Sequence, residues 1–161
     1  MAENWVRVRV NDQILDLMRD EDVIRSYPCS TAAKGIGELK NSGQTPRGWH
    51  VIRARIGEGV SVGSVFVGRR PTGEIWSPEL AQMYPQRDWI LTRILWLSGL
   101  EPGLNRLGHC DTMQRYIYIH GTPPIEPVGV PGSHGCIRMH EPDLLDLFGR
   151  VQAGTRVLVQ G

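Results

Sequence analysis

With 161 residues, 40% of them hydrophobic and 22% charged, the chain is sized for one domain, residues 1–161, whose core needs no staples. A formal net charge of +1, with scattered Arg and Lys only at Lys34 and Lys40, excludes a strong electrostatic case for nucleic acid or an acidic membrane surface. No stretch approaches the roughly 18 apolar residues of a membrane span, and three cysteines (Cys29, Cys110, Cys136) without a CxxC pair fit a reducing compartment better than a disulfide framework.

Met1–Arg9 alternates apolar and charged residues and lacks an apolar leader core. That predicts a cytoplasmic chain, or a periplasmic one if a leader has been trimmed. Nineteen Gly and eleven Pro imply many turns and a strand-rich fold. Trp5–Val10 reads as a half-buried strand, with Gln13–Met18 as its partner across an Asn11-Asp12 turn. Val23–Ser30 is a third strand, its Pro28 suited to an edge or an end. Cys29 there reads as a small apolar residue. Thr31–Arg47 is a polar loop that closes on the turn Thr45-Pro46-Arg47-Gly48. Trp49–Ile56 alternates again, and His50 reads as a partly exposed strand histidine without a chemical role.

Val65–Arg69 and Glu74–Trp76 suggest a hairpin turning at Arg70–Gly73, and Pro78–Pro85 a helical turn. Asp88–Gly99 fits a buried strand or a short helix; its periodicity does not decide. Trp89 and Trp96 within it read as core or pocket wall. Glu101–Arg115 is a polar loop holding His109-Cys110-Asp111. It and the loop at Thr31–Gln44 are lid candidates by length. Tyr116–His120 is a strand by composition. Alternation places Tyr116, Tyr118 and His120 on one face and Ile117 and Ile119 on the other. Pro142–Gln152 predicts the main helix, with Pro in its first turn, Asp143 at the positive end and a stripe of Leu144, Leu145, Phe148 and Val151. Gly154 should end it, and Arg156–Val159 should be a closing strand. His140 reads as solvent-facing near the start of that helix.

The reactive residues concentrate in Ile119–Met139, IHGTPPIEPVGVPGSHGCIRM. A cysteine nucleophile needs an accessible thiolate, a base held in the right tautomer and donors for the developing oxyanion. Cys136 follows Gly135, where backbone comes close to a substrate. His120 is the candidate base, and a backbone carbonyl orients an imidazole as a carboxylate does. Two rival readings stand beside this one. The first is a zinc site built from His109, Cys110, His120, His134 and Cys136, although the usual close-spaced ligand pairs are missing. The second is a catalytically inactive wall-binding module.

The stretch His120, twelve residues, then Ser133-His134-Gly135-Cys136 and Arg138 resembles the signature of the YkuD-type L,D-transpeptidase family. The Thr45–Gly48 TPRG segment, Tyr27–Thr31 (YPCST) and the C-terminal GTRVLV resemble further elements of that family. The resemblance implies a mainly β fold, a β-sandwich of mixed sheets with one main helix. It also implies an acyl-transfer enzyme acting on peptidoglycan tetrapeptide stems or muropeptides, without metal or organic cofactor. Cys136 would attack the carbonyl between diaminopimelate and D-alanine, and His120 would move the proton. The Gly121 carbonyl would orient His120, and the amides of His134, Gly135 and Cys136 would form the oxyanion hole. Arg138 would read a substrate carboxylate. Ser133, His134 and Tyr118 would line the substrate site. Because family cross-linkers normally carry a leader or an anchor, the expectation is that water takes the acyl group, as in an L,D-carboxypeptidase of wall recycling. Transfer to an amine, giving 3→3 cross-links, is the alternative.

Overall fold

A computed structural model describes residues 3–161; Met1 and Ala2, the first two residues of the expected domain, lie outside the described residues. The elements in chain order are β1 (Asn4–Arg9), β2 (Ile14–Arg19), β3 (Asp22–Pro28), β4 (Gly48–Ile56), β5 (Ser64–Val67), β6 (Arg70–Ile75), α1 (Pro78–Met83), β7 (Ile90–Gly99), β8 (Tyr118–Thr122), β9 (Ile137–His140), α2 (Glu141–Phe148) and β10 (Arg156–Gln160). The fold is mainly β, as its composition implies. Hydrogen bonding runs without a break through one curled mixed sheet in the order β3-β2-β1-β10-β4-β7-β5-β6. The sheet forks at β7, which also pairs with β8, and β8 pairs with β9. Only β1–β10 and β8–β9 are parallel pairs. The curl brings the segment just after β3 back onto β9: Ser30 and Arg138 exchange backbone bonds of 2.9 and 2.8 Å.

One apolar cluster holds the sheet and α2 together. Val6, Val8, Leu15, Leu17, Ile52, Leu95, Leu97, Ile119, Ile137, Met139, Leu144 and Leu147 are all at most 1% exposed within it. Alternation sends Ile119 of β8 and Ile137 of β9 into this core, and they are register partners. Truncating either to Ala costs about 2–5 kcal/mol. The opposite face of the same two strands is thereby left for polar chemistry. Cys29 is fully buried among these apolar residues, and burial pushes its thiol up to about 12, so it is inert as a nucleophile.

The structure revises several local expectations. The undecided Asp88–Gly99 segment is a strand from Ile90 onward. It is buried on both faces, with Leu91, Ile94, Leu95 and Leu97 all at 0% exposure, which removes the alternation that marks a half-exposed strand. Its Thr92 has φ +79°, and the register of its pairing shifts between Leu91 and Ile94. The β5–β6 hairpin turns at Gly68-Arg69 rather than at Arg70–Gly73. Both turn residues have positive φ (+57° and +65°), the two-residue geometry that matches strand twist. Residues Ile137–His140 form an unforeseen strand. The main helix stops at Phe148 with Gly149 as its C-cap, so Val151 is buried beyond the helix rather than on it.

His50 is not partly exposed. It is fully buried, with Nδ1 bonded to the Gly48 carbonyl (3.0 Å) and Nε2 to Thr112 Oγ1 (3.0 Å). Burial lowers its pKa to about 4. Neither lid candidate hangs free. The Thr31 carbonyl accepts from Gly132 and Ser133. In the second loop, Asn105 is fully buried and its side chain donates to the carbonyls of Arg47 and Trp49. Among the described residues, no helix is long and apolar enough to cross a membrane.

Candidate active site

The site is built on β8, β9 and the turn that leads into β9. In parallel register His120 lies opposite Arg138, so Tyr118 and His120 share a sheet face with Cys136 and Arg138. Tyr116 does not join that face. It precedes the strand in a left-handed conformation (φ +56°) with its side chain half exposed. Its carbonyl turns toward the thiol instead, and Cys136 Sγ donates to it at 3.5 Å.

His120 is 1% exposed. Its Nδ1 lies 2.7 Å from the Gly121 carbonyl. A carbonyl only accepts, so Nδ1 carries the hydrogen and Nε2 presents its lone pair. Nε2 is buried and has no partner among the described residues. An unpartnered buried nitrogen costs free energy, and such orphans call for an explanation. Burial also lowers the His120 pKa, although the Gly121 carbonyl and Asp88 oppose that, so the imidazole is neutral at neutral pH. Glycine is needed at 121 for a packing reason: a Cβ there would lie 2.6 Å from the Leu91 carbonyl of β7. The His-Gly pair thus lets β8 approach β7 while aiming the imidazole.

The turn before β9 is tied at several points. Thr45 Oγ1, fully buried, accepts from the Ala32 amide (3.0 Å) and donates to the Gly135 carbonyl (2.9 Å). Ser133 Oγ donates to the Cys136 carbonyl and accepts the Gly135 N–H at 3.1 Å. Gly135 has φ +129°, and a Cβ would sit 3.1 Å from Ile117 Cδ1 and 3.3 Å from the Gln44 carbonyl. A side chain there is strained and crowded. The three turn amides expected to face an oxyanion therefore divide: the Gly135 amide is engaged by Ser133, which leaves the His134 and Cys136 amides for that task.

Cys136 is partly buried against the apolar cluster of Phe66, Ile94 and Tyr118, on which Trp96 also packs. Burial pushes its thiol up to about 12, against the Tyr118 amide, which points at Sγ from 3.4 Å and favours the thiolate. The resting pair is therefore a neutral thiol and a neutral imidazole. Among the described residues, no group of three or more His, Cys, Asp or Glu is arranged to hold a metal ion. His109 and Cys110 form a short 3-10 turn in the loop before β8, where Cys110 Sγ donates to the Leu107 carbonyl.

Arg138 and His134 find a partner the sequence did not announce. Arg138 Nη2 meets Asp88 Oδ1 at 3.0 Å and Nη1 meets the Gly132 carbonyl at 3.1 Å; its side chain is 11% exposed. The guanidinium expected to read a substrate carboxylate is thus paired with a carboxylate of the chain itself. His134, 78% exposed at its side chain, reaches the other Asp88 oxygen at 3.5 Å. Burial works to raise the Asp88 pKa, but His120, Arg138 and His134 outweigh it and hold the carboxyl below its usual value. Asp88 carries no local signature in the sequence; only the fold puts it beside β9. The Tyr118 ring is buried, and its hydroxyl accepts from Arg69 at 3.1 Å, so Tyr118 contributes a wall and an amide rather than a free phenol. His140 is the half-buried N-cap residue of α2.

The arrangement brings together an oriented neutral imidazole, a thiol on the same sheet face and turn amides beside it, the groups a thiol acyl transfer would call on. Residues 3–159 match the L,D-transpeptidase catalytic domain family, YkuD, and the chain belongs to it. Among curated proteins it resembles the Bacillus subtilis (strain 168) protein named "Putative L,D-transpeptidase YqjB", with 51% identity over 41 residues, 26% of this chain and 23% of that protein. Among solved structures it is similar to an L,D-transpeptidase from Mycobacterium smegmatis (TM-score 0.56, 20% identity, 99% of this chain and 59% of that one). It is also similar to L,D-transpeptidase 3 from Mycobacterium tuberculosis in complex with a faropenem-derived adduct (TM-score 0.60, 14% identity, 99% and 61%). At these identities the structural likeness speaks for the fold. The chain spans about three-fifths of the length of those two structures.

Proposed function

We propose that this chain is a cysteine acyl-transfer enzyme that opens the bond between the L-centre of diaminopimelate and D-alanine in peptidoglycan tetrapeptide stems. The observation that carries the reading is the imidazole of His120. Its Nδ1 is fixed by the Gly121 carbonyl, and its Nε2 is buried, carries the lone pair and is unpartnered among the described residues, on the face that bears Cys136. That is the tautomer a general base requires.

In the proposed sequence Cys136 Sγ attacks the scissile carbonyl carbon as its proton passes to His120 Nε2. The tetrahedral oxyanion accepts hydrogen bonds from turn amides. Collapse breaks the C–N bond. The proton on His120 goes to the departing amine of D-alanine, leaving a thioester on Cys136. Because the resting thiol is neutral, proton transfer accompanies substrate binding and attack.

The thioester has two outlets. Water gives tripeptide and free D-alanine, the L,D-carboxypeptidase outcome; an amine gives a 3→3 cross-link, the outcome that the names of the relatives carry. Incubating the protein with a tetrapeptide muropeptide and weighing the products tests both. Tripeptide plus D-alanine supports hydrolysis, and cross-linked dimers overturn it in favour of transfer. Absence of either product, together with a Cys136 that gains no mass from a carbapenem, would remove the acyl-transfer reading. Cell fractionation tests the expected cytoplasmic location.

A further inference from the structure

With Arg138 tied to Asp88, the substrate side of Cys136 needs another cation if an acidic peptide is to be read. The wall of the site supplies one from an unexpected element. Arg69 stands at the tip of the β5–β6 hairpin, in a left-handed conformation (φ +65°) that a non-glycine residue adopts at a cost. Its guanidinium lies 4.7 Å from the Trp96 ring centroid and 4.8 Å from that of Tyr116. One nitrogen, Nη1, donates to the Tyr118 hydroxyl at 3.1 Å. Arg53 lies over the same Trp96 ring at 5.3 Å. Among the described residues neither guanidinium forms an ion pair with a carboxylate.

This wall is continuous with the thiol. Tyr118 and Trp96 pack in one cluster with Cys136, the Tyr118 amide points at Sγ, and the Tyr116 carbonyl accepts from it. Aromatic rings fix the arginine plane without neutralising it, which leaves guanidinium edges free for a planar anion.

We infer that Arg69, assisted by Arg53, reads a free carboxylate of the acyl-donor peptide and so makes the enzyme selective for donors that are not amidated there. This rests on the acyl-transfer reading above. Arg69 stands one residue beyond the thiol, past Tyr118. Two donor carboxylates are therefore in question: the one at the far end of the diaminopimelate side chain and the one that terminates D-alanine.

The experiment measures binding on the full chain carrying Cys136→Ala, so that no turnover intervenes. Three synthetic tetrapeptides are compared by calorimetry: one with both carboxylates free, one with the diaminopimelate side-chain carboxamide and one with the D-alanine carboxamide. One of the two carboxamides is expected to bind about tenfold more weakly than the free peptide, the loss of a charge-assisted hydrogen bond, and it names the carboxylate that is read. Adding Arg69→Gln should weaken the free peptide by a similar factor while leaving that carboxamide unchanged. Arg69→Lys should restore part of the difference, and Arg53→Gln should give a smaller loss of the same selectivity. Equal affinity for all three peptides overturns the inference. So does a loss on Arg69→Gln that is the same for free and amidated peptide, because that is what a merely structural arginine would give. The carboxamide comparison keeps Arg69 in place and so holds even if its variants fold poorly. Failure of the acyl-transfer reading shows separately, as a native protein that binds these peptides and releases no D-alanine.

Discussion

The two flanks of Cys136 are built on opposite principles. On the turn side, Thr45, Ser133, Gly135, Arg138 and Asp88 bond to one another or to backbone, so the polar groups answer each other. On the aromatic side, Arg69 and Arg53 rest on Trp96, and Arg69 on Tyr116 as well, with no acidic partner among the described residues. A flank that satisfies itself is a frame, and it holds Cys136 and the end of β8 in place. A flank that leaves cations unanswered is poised for a ligand. His120 lies between the two and shares both characters, with one nitrogen satisfied and the other not.

The comparison breaks most sharply at Cys136, the proposed nucleophile. Cys136→Ala should remove turnover to the level of the uncatalysed reaction, read as D-alanine released, with the melting temperature retained. Measurable turnover would move the nucleophile elsewhere. Next comes His120→Ala, expected to lower turnover by about 10²–10⁴-fold and to slow alkylation of Cys136 by iodoacetamide at neutral pH. An unchanged alkylation rate would mean another group takes the thiol proton.

The frame itself is tested by Thr45→Val, which keeps the shape and deletes the hydroxyl. The buried Ala32 N–H and Gly135 carbonyl then lose a partner, at about 1–3 kcal/mol each. Chemical denaturation should show that loss, and turnover should fall with it because the Gly135 turn is freed. Full stability in Thr45→Val would mean that the turn does not depend on that tie. Asp88→Asn keeps a hydrogen-bond acceptor for Arg138 but removes the charge. Asp88 is 40% exposed at its side chain, so solvent screens much of the pair, and the expected cost is roughly 1 kcal/mol or less. Turnover should drop several-fold. A change in affinity for peptide with no change in turnover would transfer Asp88 from the frame to the recognition flank.

A last effect lies outside both flanks, in the pH dependence of folding. His50 has a folded pKa of about 4 against an ordinary 6.5, so the unfolded chain binds the proton more readily. Its contribution is fully present above about pH 6.5 and is lost as pH falls toward 4. At full burial the span is about 3 kcal/mol, an upper value because the protein relaxes around a buried charge. Urea titrations between pH 7 and pH 4 should show stability falling, with a shallower slope in His50→Gln. An equal slope in that variant would assign the dependence to His120, whose pKa is also lowered.

What the sequence determined is what neighbouring residues determine. The alternation in YIYIH separated the His120 face from Ile117 and Ile119, because a strand's side chains change face at each residue. The His-Gly pair and the Ser-His-Gly-Cys turn marked where an imidazole and a thiol meet close backbone. Tyr116, though inside the same alternating run, left the face because its left-handed turn ends the pattern one step early. Tertiary structure alone decided which charges meet. Arg138 and Asp88 are 50 positions apart, and Thr45 and Gly135 are 90 apart. In a chain with arginines throughout, nothing local distinguishes the one that pairs with an acid from the one left over an indole. Burial decided it, because a guanidinium folded into the sheet interior must find an acceptor, whereas one at a hairpin tip need not. The same logic hid His50, whose buried partners are set by loop packing, and the β9 strand, whose pairing depends on the curl that brings Ser30 back to Arg138.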